Sequence, residues 1–354
     1  MMFEQGVIRP PSEAQSLLVR VTRNCPWNRC HTCPAYKGKK FSIRTVAEIK
    51  RDIEMMAKAG SYDSGRFESA FLQDADSLII PADDLIEIIG NIKKYFPGIK
   101  RITTYARAKS MKRKSVPDLI RLREAGLTRI HSGMESGSLK VLKLIMKGIK
   151  PEDIITGGSR VVESGISLSE YIMPGIGGKA LSEEHAIETA GILNKVRPDF
   201  IRVRTFAIHP LSPIQKMADE GTFIPLNDEE TVREIRVLLE NLDEMPSRFR
   251  CGDFSLNLLM QVDGYLNMDK KKMINEIDRY LALAPEQKKA YSLIQRTYPG
   301  MRPLDVLNDE KLLGEISREI EKLERDDKDG FNKYIRELMT YQLPQPQTGV
   351  WQAS

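Results

Sequence analysis

The chain has 354 residues, enough for one large domain or two, and 54 Lys and Arg against 49 Asp and Glu give a formal net charge of +5. A composition of 41% hydrophobic and 29% charged residues is that of a globular protein. The modest positive charge permits a phosphate-bearing partner without indicating one. Because the sequence has no run of about 18 apolar residues and no signal-peptide pattern, we expect a cytoplasmic protein that makes no contact with membranes.

Cysteines cluster directly after the first predicted strand. Residues 1–15 form a lead-in, 17–21 predict a short buried strand, and Cys25, Cys30 and Cys33 follow within nine residues. Thiolates are the ligands of iron–sulfur clusters and of zinc, but structural zinc sites close with four ligands. Three cysteines on a cluster of four irons leave one iron open to a small molecule. A zinc site completed by His31 is the alternative, whereas an odd number of clustered cysteines opposes a disulfide framework.

Strands and helices then alternate along the chain. Thr45 and Glu48 have the spacing of a capping box, which predicts a helix that Gly60 ends. Further strands are predicted at 68–72, 99–105, 127–132, 166–172 and 199–208, with helices at 81–92, 115–125, 138–147, 151–164 and 182–196. Six such units predict an α/β fold, a partial (β/α)6 TIM-type barrel over 16–215. The glycine-rich dinucleotide fingerprint is absent after the first strand, which opposes an open doubly wound sheet.

The pattern changes after Pro210. Helices are predicted at 227–244, 257–266 and 270–283 and in the charged stretch that ends at Tyr341. We expect residues 216–345 to form a mainly helical region that covers the open side of the barrel, and residues 346–354 to form a polar tail. The same packing is expected to bring Cys251 or Asp253 near the substrate.

Polar and glycine-containing segments follow the predicted strands, and barrel active sites lie at the carboxyl ends of strands. The candidate residues are Gln73, Asp74, Asp76, Tyr105, Ser132, Glu135, Met173, Pro174, Gly175, Arg202, Arg204 and His209. Alternatives remain for several of them: Asp76 as a helix cap, Tyr105 as a core residue, and the two arginines on a solvated face with Ile201 and Val203 inside.

This arrangement resembles the radical S-adenosylmethionine (SAM) superfamily, whose signature is C-x3-C-x2-C after the first barrel strand. Here the spacing is C-x4-C-x2-C, and Thr32 stands where the family usually has an aromatic residue. The similarity is greatest to the branch with the elongator catalytic subunit, oxygen-independent coproporphyrinogen oxidase and the tRNA methylthiotransferases. It implies a [4Fe–4S] cluster on Cys25, Cys30 and Cys33 whose open iron binds SAM. Reductive cleavage of SAM would then give a 5′-deoxyadenosyl radical that takes hydrogen from the substrate.

The resemblance also implies roles for the candidate residues. Gln73, Asp74 and Asp76 stand where the family grips the methionine amino group, and Glu135 where it binds the ribose hydroxyls. The segment from Met173 to Gly175 would lie along adenine. The remaining candidate cofactor contacts are Tyr105, Ser132, Arg202 and Arg204. His209 is a candidate proton carrier, and Cys251 is a candidate hydrogen donor to a substrate radical.

The sequence therefore predicts a radical SAM enzyme with one cluster, since no second set of cysteines exists. Its expected partners are an unidentified substrate, a small molecule in preference to RNA, and an electron donor such as ferredoxin or flavodoxin. Two alternatives are a porphyrinogen-type oxidative decarboxylase and a non-enzymatic, zinc-stabilised RNA-binding or scaffold protein.

Overall fold

The computed structural model describes residues 3–6, 8–59, 66–298 and 300–343. Its strands are β1 (Leu17–Arg20), β2 (Thr22–Arg23), β3 (Ser42–Ile43), β4 (Ser69–Gln73), β5 (Arg101–Ala106), β6 (Leu127–Glu135), β7 (Ser167–Ile172), β8 (Phe200–Val203), β9 (Arg248–Arg250) and β10 (Asp263–Tyr265). The helices that alternate with the first eight strands are α1 (Val46–Lys58), α2 (Ala82–Tyr95), α3 (Ala108–Arg113), α4 (Val116–Ala125), α5 (Leu139–Leu144), α6 (Pro151–Glu163) and α7 (Gly178–Val196). The later helices are α8 (Pro213–Asp219), α9 (Asp228–Asn241), α10 (Leu266–Leu281), α11 (Pro285–Thr297), α12 (Glu310–Glu324) and α13 (Gly330–Tyr341).

One eight-stranded sheet forms the centre, in the order β1-β4-β5-β6-β7-β8-β9-β10. All neighbouring strands from β1 to β9 run parallel, and β10 is antiparallel to β9. Within the described ranges β1 and β10 are the two edges, so the sheet does not close into a full barrel. The predicted α/β partial barrel is confirmed, with β9 as a further parallel strand.

The two faces of the sheet differ in polarity. A Cβ on Gly158 of α6 would lie 3.3 Å from Leu168, so Leu168 and its register partner Ile130 face the helices. Because side chains alternate along a strand, His131 lies on the opposite, concave face. A row of aromatic rings crosses that face, with neighbouring centroids 5.1–6.1 Å apart, through Phe71, Tyr105, His131, Tyr171 and Phe254.

The lead-in segment reaches the concave face. A short 3-10 helix, Pro11–Glu13, places the Glu13 carboxylate 3.0 Å from Arg101 Nη1 and 3.4 Å from His131 Nε2. Burial opposes ionisation of this carboxyl, but hydrogen bonds from His131 and Ser16 and the charge of Arg101 lower the pKa of Glu13 to about 2. A charged layer therefore lies beside the aromatic row, and the carboxyl ends of the strands are left for the candidate site.

Most predicted elements are present, with two differences in the C-terminal half. Residues 257–266 were predicted as helical, which is wrong: this stretch holds a loop and β10. Asn257 explains the loop, because its side chain donates to Val203 O and Cys251 O and accepts from the Thr205 N–H. The sixth predicted strand, 199–208, ends at Val203 because the Phe206 N–H turns to the Pro174 carbonyl.

The N-terminus of α1 is as the sequence predicts. The capping box of α1 is confirmed, with Thr45 Oγ1 accepting from the Glu48 N–H at 3.2 Å. Gly60 and residues 346–354 lie outside the described residues. Among the helices of the described ranges, none has both the length and the apolar character that a membrane crossing needs.

The C-terminal region contributes to the sheet itself, which makes a truncation informative. A chain that ends after Leu226 loses β9, so the edge of β8 becomes exposed. It also loses Asp253, so the Arg202 side chain, which is 1% exposed, is left without its ion-pair partner. We expect this chain to aggregate or to melt without cooperativity in circular dichroism and size-exclusion chromatography. A chain that ends after Leu343 is the matched control and should behave like the full chain. A cooperative, unshifted melt after removal at Leu226 would contradict this expectation.

Candidate active site

The three clustered cysteines lie on the loop of residues 24–41, between the paired strands β2 and β3 and next to the carboxyl end of β1. All three are free thiols and partly buried. Burial raises the pKa of Cys30 to about 11; Lys147 opposes this shift, and Cys33 and Cys25 add to it. The three thiols therefore lie close enough to act on one another electrostatically.

The chemistry of this donor set fits an iron–sulfur cluster. Among the residues that the structure describes, no three His, Cys, Asp or Glu side chains are placed to hold a single metal ion. In a cube of four irons each thiolate binds a different iron, so the sulfur atoms need not converge on one point. Cluster binding would take the thiols as thiolates, and the nearby ammonium of Lys147 favours that form at Cys30.

The cysteine loop is docked against the chain that follows α5. The Trp27 indole donates to Met146 O at 2.7 Å, and the His31 N–H donates to Ile145 O at 2.8 Å. Gly148 has φ +73, and a Cβ there would lie 2.3 Å from the Trp27 ring, so only glycine permits this close packing. The loop therefore has a defined position relative to the end of β6 and to α5.

Asp74 joins the loop to the sheet. Its carboxylate, which is 0% exposed, accepts from Arg20 Nη2 at 3.0 Å, from the Asn24 N–H at 3.1 Å and from the Tyr36 hydroxyl at 2.5 Å. Asn24 precedes the first cysteine and Tyr36 follows the third, so one side chain holds the loop on both sides of the three cysteines. Burial raises the pKa of Asp74, and these three donors counteract the shift.

The two polar neighbours of Asp74 also have protein partners. Gln73 Oε1 accepts from the Gly6 N–H at 2.9 Å and thereby holds the lead-in segment. Asp76 accepts from Ser110 Oγ at 2.7 Å and from the Arg107 N–H at 3.3 Å, at the start of α3. Burial raises the pKa of Asp76 to about 6. In this structure the segment expected to grip an amino group serves to connect the loop, the lead-in and α3.

Glu135 lies beside the cysteine loop at the end of β6. It follows an irregularity in the strand register and has φ +61, and its Oε1 forms an ion pair with Lys147 Nζ at 2.7 Å. The sequence prediction missed Lys147 because it placed this residue inside a helix over 138–147. Since α5 ends at Leu144, Lys147 lies in the following loop and reaches both Glu135 and the neighbourhood of Cys30.

Residues after β7 adjoin Glu135. The Met173 N–H donates to Glu135 O at 3.0 Å, and Pro174 O accepts from the Phe206 N–H at 2.8 Å. Gly175, at φ +87, donates its N–H to Glu234 Oε1 at 2.6 Å. The structure thus brings the predicted ribose and adenine segments together.

Arg202 and Arg204 lie on the concave face. Arg202 donates from Nε to Ser169 Oγ at 2.9 Å and pairs with Asp253. Arg204 stands with its Cζ 5.6 Å from the Phe254 ring centroid and has no ion-pair partner among the described residues. The alternative with Ile201 and Val203 inside is wrong, because those side chains are buried on the helix-facing side. Tyr105 belongs to the aromatic row and therefore also faces the concavity.

Ser132 and Cys251 lie away from this face, and His209 lies in the turn after β8. Ser132 pairs in register with Glu170, two residues along from the helix-facing pair of Ile130 and Leu168. Cys251 is 1% exposed and borders a small cavity with side chains of α9 and α10. His209 is buried, and its Nδ1 accepts from the Leu211 N–H at 3.0 Å in a local turn. These placements do not support a contact with cofactor or substrate for the three side chains.

The sequence of the chain is similar to those of known proteins. Residues 19–190 match the family model described as the Radical SAM superfamily. A tRNA uridine(34) acetyltransferase of Methanocaldococcus infernus is 25% identical over 122 residues, which cover 34% of this chain and 23% of the relative. A tRNA-2-methylthio-N(6)-dimethylallyladenosine synthase of Acetivibrio thermocellus is 28% identical over 204 residues, which cover 54% of this chain and 40% of the relative. The chain therefore spans less than half the length of either relative.

The fold is also found among solved structures. A cobalamin-dependent S-adenosylmethionine radical enzyme, OxsB, with aqua-cobalamin and S-adenosylmethionine bound, has a TM-score of 0.50 and 16% identity, over 92% of this chain and 57% of that one. At this identity the similarity describes the fold alone. The residues that match the family model run from the second half of β1 through most of α7 and include the three cysteines, Asp74 and Glu135. Residues 19–190, slightly less than half of the chain, thus match the radical SAM superfamily.

Proposed function

We propose that this enzyme holds one [4Fe–4S] cluster on Cys25, Cys30 and Cys33, cleaves SAM reductively and abstracts hydrogen from a substrate. The observation that carries the proposal is the docked loop with three free thiols beside Glu135, at the carboxyl edge of a radical SAM fold. When bound, the cluster supplies the electron for cleavage of SAM into methionine and a 5′-deoxyadenosyl radical.

The loop residues support a three-cysteine site. Asp74 holds the loop on both sides of the cysteines, and Trp27 and His31 attach the part between them to the chain after α5. The fourth cysteine, Cys251, is buried beside side chains of α9 and α10. One iron would therefore have no cysteine ligand and would remain accessible to the amino and carboxylate groups of SAM.

Side chains around the loop suit the rest of SAM. Glu135 has two carboxylate oxygens that can accept hydrogen bonds from the ribose hydroxyls, provided that Lys147 Nζ moves away from Oε1. The segment from Met173 to Gly175 lies next to Glu135 and offers backbone groups to adenine. Arg204 is a concave-face arginine just beyond the carboxyl end of β8, and it has no carboxylate partner among the described side chains, so it is a cation available to the methionine carboxylate.

The substrate and partners belong to the proposal as well. A small molecule fits the concave face, whose floor is the aromatic row, and a ferredoxin or flavodoxin would supply electrons. A porphyrinogen-type decarboxylase is less well supported, because Arg202 and Arg250 both pair with Asp253 and offer little to a substrate with several carboxylates. The non-enzymatic zinc scaffold is less well supported, because residues 19–190 match the radical SAM superfamily.

A cysteine variant tests the cluster. After anaerobic reconstitution with iron and sulfide, we expect a brown protein with about four irons per chain. After reduction and addition of SAM, 5′-deoxyadenosine should appear in chromatography. Cys30→Ser should lose most of the iron and the product, while Cys251→Ser, the matched control, should keep both. Iron and product retained in Cys30→Ser, or zinc uptake without iron in the unaltered chain, would show that the proposal is wrong.

The second prediction concerns Glu135. Glu135→Ala removes a charged acceptor, so the affinity for SAM should fall by roughly 1.5–3 kcal/mol, about 10- to 150-fold, while the iron content stays unchanged. Equilibrium binding of SAM to the reconstituted protein measures the effect. Glu163→Ala, at an exposed position of α6, serves as the control. If both variants bind SAM equally well, Glu135 only anchors Lys147.

A further inference from the structure

A buried polar cluster lies directly behind Glu135 and Gly175. We define it as Ser136, His185, Thr189 and Glu234, each at most 4% exposed. Buried polar side chains persist only where hydrogen bonds compensate for the loss of water. The partners of this cluster are the two loops that hold the proposed nucleoside contacts.

Glu234 holds the loop after β7. It belongs to α9, which packs against α7, and lies outside the matched residues 19–190. Its Oε1 accepts from the Gly175 N–H at 2.6 Å, and its Oε2 accepts from the Ser182 hydroxyl. Burial raises the pKa of Glu234 to about 7, and the donors Ser182 and Gly175 counteract that shift, so both contacts stabilise the ionised form.

His185 and Thr189 connect the same region to the loop after β6. His185 Nε2 lies 3.6 Å from Glu234 Oε1, and Nδ1 lies 2.8 Å from Ser136 Oγ. Thr189 Oγ1 accepts from the Gly137 N–H at 2.8 Å. Burial lowers the pKa of His185 to about 4, so the ring is neutral at neutral pH. Its hydrogen bonds are therefore those of an uncharged imidazole. Because Ser136 directly follows Glu135, the cluster contacts the loop after β6 as well as the loop after β7.

We infer that Glu234 is a positioning residue for SAM: by accepting the Gly175 N–H it fixes the adenine-side loop, which lies next to Glu135. This inference rests on the proposed function, because it takes Glu135 and Gly175 as the nucleoside contacts. It assigns a role in cofactor binding to α9, an element beyond the radical SAM domain. Glu234 itself contacts only protein groups.

Three variants test the inference. Glu234→Leu removes the acceptor and leaves the buried Gly175 N–H without a partner. Glu234→Gln keeps an acceptor for Gly175 and a polar group for Ser182. Glu240→Leu, at an exposed position of the same helix, is the control. The readouts are hydrogen exchange of the amides at 173–178 in the cluster-free protein and the affinity for SAM in the reconstituted protein.

We expect Glu234→Leu to show faster exchange at Gly175 and a SAM affinity about tenfold weaker, while Glu234→Gln and Glu240→Leu stay near the unaltered chain. Should Glu234→Leu fail to fold, Ser182→Ala, which removes one donor to Glu234, should show the same two effects at smaller size. Unchanged exchange and affinity in a folded Glu234→Leu or, in its place, Ser182→Ala would overturn the inference while leaving the proposed function intact. If the unaltered, reconstituted chain binds no SAM, the proposed function fails first and the inference with it.

Discussion

The candidate site depends on the hydrogen bonds that the fully buried carboxylate of Asp74 accepts. The loop of residues 24–41 contains no helix or strand, so its position relative to the sheet must come from specific contacts. Burying a charge is costly unless it is paired and hydrogen-bonded, and Asp74 meets both conditions with Arg20, the Asn24 N–H and Tyr36. Because two of these donors flank the three cysteines, the interaction that stabilises the carboxylate also closes the loop.

From this contact the site extends in two directions along the edge of the sheet. Trp27 and His31 attach the loop to the chain after α5, which places Lys147 between Cys30 and Glu135. Behind Glu135, the cluster around His185 and Glu234 connects β6, β7 and α9. The proposed cofactor contacts are therefore held by neighbours from several distant segments, including the C-terminal half of the chain.

The features that could be predicted from the sequence are those that short stretches of the chain determine. Alternating strands and helices gave the barrel, and cysteine spacing at the end of a buried strand gave the loop with its thiols. The use of Asp74 could not be predicted, because an acidic residue after a strand indicates a ligand contact as readily as a structural one. Its partners Arg20 and Tyr36 are 54 and 38 residues away in the chain. For Cys251, no pattern in the sequence indicated that the side chain after β9 would point toward α9 and α10. The strand β9 itself, Arg248–Arg250, is too short and too charged to give a hydrophobic signal.

The central claim is that three cysteines hold a cluster with one iron left for SAM. Electron paramagnetic resonance of the reduced, anaerobically reconstituted protein, recorded before and after addition of excess SAM, tests it most directly. The expected result is a [4Fe–4S] signal whose g values change when SAM is added, because SAM then binds an iron of the cluster. A signal that is the same with and without SAM, in protein with full iron content, would contradict the claim.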